Sequence, residues 1–480
     1  MSPHRIETSA REVIVKLHFW GANRQVTGSR YCLDAAGQQV MVDCGMVQER
    51  PFLERNWAPN PLPAHEVDAL LVTHIHIDHV GLIPKLVREG FHGPIYATRA
   101  TVELLEIVLR DAAKIQGEDV EYKRKRHQRE GRKGGQHPPA VLFSDLDVDA
   151  TLRLLQSVNY DESVKLNDAM KVTFRDAGHV IGSAMLDVQV QENGKSTRVV
   201  FSGDIGQWNK PLIRDPSLFE QADYVVMEST YGDRDHETAG DIETQLATIV
   251  NETVRRGGNV VIPTFAVERA QEIMYYISRL VRANRIPRMK VYLDSPMAVD
   301  VTEVYRGLGD FFDAETLAML ADNKPPLQFP GLSLSRTVNE SKAINNCKQP
   351  CIIMSSSGMC TAGRIKHHLR QNITRPECTI LFVGYQGVGT LGRQILDGDP
   401  FVRIHGQDHK VKAQIAKIYG FSGHADRTGL LRWLGNLKQP PRRVFLTHGE
   451  ENVSLNFAQQ IEEQLKWPVT VPHYLDCVEL

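Results

Sequence analysis

At 480 residues the chain exceeds what one hydrophobic core normally supports, and 42 % hydrophobic with 24 % charged residues is ordinary for a globular protein of two domains. A formal net charge of −2 excludes a uniformly basic nucleic-acid binder, so any such partner must be held by local patches or by metal. No apolar stretch approaches the ~20 residues of a membrane helix, and MSPHRIETSAREVIVKLHFW lacks the basic-then-apolar order of a secretory signal, which predicts a soluble cytoplasmic chain with no membrane partner.

The first two hundred residues read as short β segments closed by turns: VIVKLHFWG, QQVMVDCG, VDALLVTH, PIYAT, KVTFRDAGH, SAMLDVQV and TRVVFSGD. Helices are expected at GLIPKLVREG and from Thr101, where Leu104, Leu105, Val108, Leu109 and Ala112 recur at helical spacing. From about residue 210 the rhythm becomes strand then helix: GGNVVIPTF before AVERAQEIMYYISRLV, MKVYLDSP before MAVDVTEVYRGL, PCIIMSSSG before AGRIKHHLRQ, ECTILFVGYQ before GTLGRQIL. Four such units predict a parallel sheet flanked by helices. The β pattern then resumes at PFVRIHG and VKAQIAKIYGFSG, and RRVFLTHGE and the helix VSLNFAQQIEEQL end the chain. That order is an α/β unit inserted into a β-rich domain, with divisions at 1–209, 210–395 and 396–480. Seven cysteines without a CxxC pair predict reduced, mostly buried thiols, Cys44 among them.

The densest chemistry lies in LLVTHIHIDHVG, residues 70–81. In HxHxDH, His74 and His76 share one side of a strand-to-loop junction while Asp78 and His79 turn back from the following loop, which predicts two adjacent metal pockets. Two zinc ions about 3.5–4 Å apart, held by imidazole and carboxylate, can share one hydroxide and clamp a phosphoryl group. Further ligands are expected at other strand ends: His179 after KVTFRDAG, Asp204 after TRVVFSG and His448 after RRVFLT. Asp204 suits a bridge between the ions. Asp43, after QQVMV, is either a carboxylate that orients a ligand histidine from behind or a turn aspartate.

His74, His76, Asp78, His79, His179 and Asp204 resemble the metallo-β-lactamase superfamily, and MESTYGD from Met227, FSGHAD from Phe421 and LTHGE from Leu446 resemble the signature motifs of its β-CASP nucleases. The resemblance covers nearly the whole chain. It implies an αββα sandwich with an inserted β-CASP domain, two zinc ions per chain, and hydrolysis of nucleic-acid phosphodiesters by a hydroxide bound between them. His74, His76 and His179 would hold one zinc, Asp78, His79 and His448 the other, with Asp204 bridging. Glu228 and His424 resemble the family's carboxylate–histidine pair, in which the imidazolium protonates the leaving oxygen. A histidine at the position of His448 marks members resembling the RNA-processing branch, so single-stranded RNA is the expected partner. A DNA-processing nuclease, a small-molecule thioester hydrolase of the same sandwich and a catalytically silent RNA-binding subunit are the alternatives.

Two stretches are candidates for substrate contact. The turn SSSGMCTAGR can cradle a phosphate with backbone N–H groups around Ser356, Ser357 and Gly358, or is simply a tight helix entry. KRKRHQREGRKGG, from Lys123 and Arg124 to Gly135, can attract a phosphate backbone, or is a solvated helix and loop. The chain ends 32 residues after His448, which predicts no long C-terminal assembly extension and leaves monomer and homodimer open.

Overall fold

The computed structural model describes residues 15–130, 140–192, 194–237 and 241–480. Two seven-stranded sheets face each other. The first runs, in spatial order, 477–479, 16–21, 30–35, 38–42, 69–71, 95–98 and 155–158; the second runs 469–470, 443–447, 224–228, 195–201, 184–192, 170–176 and 163–165. Alternation along each strand sorts its side chains between layers. Leu17 and Phe19 enter the inter-sheet core with Phe174, Leu186, Val188 and Phe201. Phe445 points into that core, while its neighbours Val444 and Leu446 point outward, where Trp433, Leu434, Phe457 and Ile461 of two helices cover them. Helices Arg427–Leu434 and Glu451–Leu465 thus roof one sheet, and the helices from Ile83 and Arg99 roof the other. The result is the expected αββα sandwich.

A third sheet has six strands, all parallel, in the order 332–334, 290–293, 351–355, 260–263, 379–382 and 414–417. Its strands are near-continuous apolar runs such as VVIP and CIIMS because helices cover both faces. Two strands pair across the divisions expected at 210 and 395. Tyr224–Glu228 is a sandwich strand, parallel to its neighbours 195–201 and 443–447. Gln414–Lys417 hydrogen-bonds to Thr379–Phe382 and so extends the inserted sheet beyond 395. At the junction between the two units Lys210 is buried against Glu272, which also pairs with Arg269.

No helix among the described residues is long and apolar enough to cross a membrane. All seven cysteines are free thiols.

Candidate metal centre

Six strands, 38–42, 69–71, 170–176, 195–201, 224–228 and 443–447, deliver polar side chains to one rim of the sandwich: Asp43, His74, His179, Asp204, Glu228 and His448 at or just beyond their ends. The short helix Ile77–Val80 begins immediately after His76 and brings Asp78 and His79 back to the same place. His74, His76, His179 and Asp204 form one cluster of close donor atoms, and Asp78, His79 and His448 form another.

Asp204 lies between them. Its Oδ2 is 3.4 Å from His74 Nε2 and 3.5 Å from His179 Nε2. Its Oδ1 is 3.3 Å from His79 Nε2 and 3.6 Å from His448 Nε2, and His448 Nε2 is in turn 3.3 Å from Asp78 Oδ2. His76 Nδ1 completes the first cluster at 3.0 Å from His74 Nε2 and 3.2 Å from His179 Nε2.

The outward ring nitrogens are tied down. His79 Nδ1 donates to Asp43 Oδ2 at 2.7 Å and His179 Nδ1 to the Gly423 carbonyl at 3.0 Å. His74 Nδ1 meets Thr73 Oγ1 at 3.1 Å, and His448 Nδ1 meets Thr230 Oγ1 at 3.0 Å. With their protons on Nδ1, His74 and His179 present Nε2 lone pairs to Asp204, and His79 and His448 do the same once each gives up its second proton. Acceptors that converge in this way repel unless a cation sits among them, and Asp204 Oδ1 is buried with no hydrogen bond. The separations suit zinc, whose ligand atoms are about 3.3 Å apart in a tetrahedron with 2.0–2.1 Å bonds. Three imidazoles with a carboxylate, and two imidazoles with two carboxylates, are donor sets that fit that metal.

Electrostatics divide the two clusters. Burial, reinforced by the neighbouring His79, pushes His74 down to about 3, and burial likewise pushes His76 to about 4, so these rings are neutral. Burial acts in the same direction on His79 and His448, but the charge of Asp204, with Asp43 on His79 and Asp78 on His448, outweighs it and raises both. In the metal-free chain, protons on those two rings supply the positive charge that the carboxylates demand.

Beside this centre, Glu228 is buried, accepts from the Ile205 N–H at 2.5 Å, and receives His424 Nδ1 at 3.0 Å on Oε2. Burial disfavours the imidazolium, yet the charges of Glu228 and Asp204 raise His424 to about 9. The His424 side chain is 21 % exposed and therefore reaches the rim.

The phosphate-loop and basic-run residues do not join this cluster. Ser356, Ser357 and Gly358 lie at the carboxyl end of strand Cys351–Ser355 of the inserted sheet, where Ser357 Oγ bonds Ala362 within its own turn and Ser356 Oγ has no partner. Lys123 and Arg124 ride the far part of helix Arg99–Glu130, with Lys123 paired to Asp119 and Lys125 to Glu121, both at 2.5 Å. Residues 131–135 of that run lie outside the described residues. Thr73 and Thr230 went unnoticed in the sequence. Thr73 Oγ1 also donates to Asp43 Oδ2 at 2.8 Å, joining that carboxylate to His74.

Residues 29–246 match the metallo-beta-lactamase superfamily, 270–395 the Beta-Casp domain, and 408–472 the Zn-dependent metallo-hydrolase RNA specificity domain. The chain is 42 % identical to Ribonuclease TTHA0252 of Thermus thermophilus over 90 % of its own length and 92 % of that protein. It is 29 % identical to the transcription termination factor FttA of Methanosarcina mazei, over 99 % of this chain and 73 % of the relative. In fold, a protein of unknown function from Enterococcus faecalis aligns with a TM-score of 0.54 at 10 % identity, over 97 % of this chain and 100 % of that one.

Proposed function

The chain belongs to the β-CASP family of metallo-β-lactamase-fold hydrolases, and from that premise we propose that it is a zinc-dependent ribonuclease acting on single-stranded RNA in the cytoplasm. The observation that carries hydrolysis by two metals is Asp204, each of whose oxygens faces its own set of ring nitrogens. His74, His76 and His179 would hold one ion and Asp78, His79 and His448 the other, with Asp204 common to both and Asp43 orienting His79. Ions held there would activate a water molecule and stabilise charge growing on phosphoryl oxygens. The protein's own contribution is the pair beside them: Glu228 fixes the His424 ring, and His424, charged at neutral pH, supplies a proton to the departing oxygen. The turn at Ser356–Gly358 and the basic run from Lys123 and Arg124 are proposed as more distant phosphate contacts. RNA as substrate is supported by the similarity to a relative named as a ribonuclease and by the match to an RNA specificity domain.

The test combines metal analysis with a substrate panel. The purified chain should contain two zinc ions and cleave single-stranded RNA in preference to DNA, thioester and lactam, and Asp204→Ala should abolish cleavage and lower the zinc content of both pockets. Thioester or lactam turnover without RNA cleavage would overturn the substrate. Two retained zinc ions and near-normal rate in Asp204→Ala would remove the bridge.

A further inference from the structure

The carboxyl ends of the six parallel strands in the inserted sheet lie along one edge, where open α/β sheets bind their ligands. Large aromatic side chains are exposed in two of the turns leaving that edge. Phe265 follows strand Val260–Pro263 and is 42 % exposed; Tyr385 follows Thr379–Phe382 and is 63 % exposed. These strands are neighbours.

The backbone is shaped around the first ring. A Cβ on Gly358 would come within 2.8 Å of the Phe265 ring, and one on Gly384 within 3.8 Å, so glycines from the turns on either side pack against Phe265 while much of its surface stays in solvent. Other rings are exposed singly, but these two leave the same ends of neighbouring strands and so offer two aromatic faces along one edge.

The edge also leads to the catalytic rim. Glu268, three residues beyond Phe265, places Oε2 3.3 Å from where a Cβ on Gly423 would be, beside His179. The half-buried ring of Tyr231 lies 6.1 Å from that of His424. Cations accompany the rings, with Arg234 5.4 Å over Tyr231 and Lys417 3.9 Å over Tyr419.

We infer that Phe265 and Tyr385 form a stacking track for unpaired bases of the RNA substrate, continuing outward from Tyr231 and His424, with Lys417 and Arg234 placed for its phosphates. This deepens the ribonuclease reading and rests on it. Stacking is indifferent to base identity but requires bases freed from a duplex, so the track selects single strands over helices without imposing a sequence.

The experiment measures affinity of the chelated, metal-free chain for a fluorescent single-stranded oligoribonucleotide, for the same oligonucleotide with abasic positions, and for its duplex. Phe265→Ala and Tyr385→Ala should each weaken single-strand binding about 10- to 100-fold, Tyr385→Phe should restore it, and the advantage of the base-bearing over the abasic strand should shrink in both alanine variants. Equal binding of base-bearing and abasic strands by the unaltered chain would overturn the track while leaving RNA cleavage intact. So would alanine variants with unaltered single-strand affinity. An unaltered, zinc-loaded chain that cleaves no RNA would overturn the ribonuclease reading and the track with it.

Discussion

His424 sits outside every cluster of close donor atoms at the rim, and Glu228, which holds its ring, also lies within reach of Asp204 and His448. RNA hydrolysis expels an alkoxide that needs a proton, whereas bis(p-nitrophenyl) phosphate expels a stable phenolate that hardly does. His424→Ala and Glu228→Gln should therefore slow RNA cleavage about 100-fold or more while largely sparing the activated ester. Equal losses on both substrates, with zinc occupancy lowered, would make His424 a ligand instead. Legibility at this scale followed chemistry: a histidine or aspartate after an apolar run stands out, so the candidate ligands are readable from the pattern, whereas Glu228 and His424 are readable only through the family resemblance. Thr73 and Thr230 are not readable, because a threonine at the end of a strand is also an ordinary β-former, and only the fold reveals that each hydroxyl anchors a ring nitrogen.

Between elements, the junction of the inserted unit with the sandwich depends on buried charge. Lys210 and Arg269 share the buried carboxylate of Glu272, whose removal would leave Lys210 buried without a carboxylate and Arg269 with Glu268 alone. Glu272→Ala should cost about 3–5 kcal/mol of stability, read from urea unfolding at constant zinc. A loss under 1 kcal/mol would show that water reaches the two cations. The element pattern was readable wherever periodicity decided it, as in the four strand–helix repeats of the insertion. The seams were not, because YVVME is apolar enough for either unit and QIAK for neither; only hydrogen-bond register assigns them. In the basic run the compensating acids were already visible, since Asp119 and Glu121 stand four residues before Lys123 and Lys125.

For the molecule as a whole, metal loading and pH are linked. The pKa values of His79 and His448 are raised in the metal-free fold, so the stability their ion pairs contribute is fully present below the ordinary histidine value of 6.5 and is lost as pH rises through the raised values. Zinc requires the same nitrogens unprotonated, so its affinity should rise with pH in that range and its binding should release protons. Calorimetric titrations in buffers of different ionisation enthalpy count those protons. A zinc affinity unchanged between pH 6 and 8, with no proton released, would mean that His79 and His448 are already neutral in the metal-free chain.

The rim is assembled from opposite ends of the chain, with 374 positions separating His74 from His448. At roughly 5–20 residues per second, a ribosome needs about 20–75 s to travel that distance. Throughout that interval the nascent polypeptide already carries HxHxDH but lacks both the imidazole at 424 and the final imidazole at 448. On the proposed mechanism, a truncated product released after His179 but before that point would hold the first set of ring nitrogens and cleave no RNA.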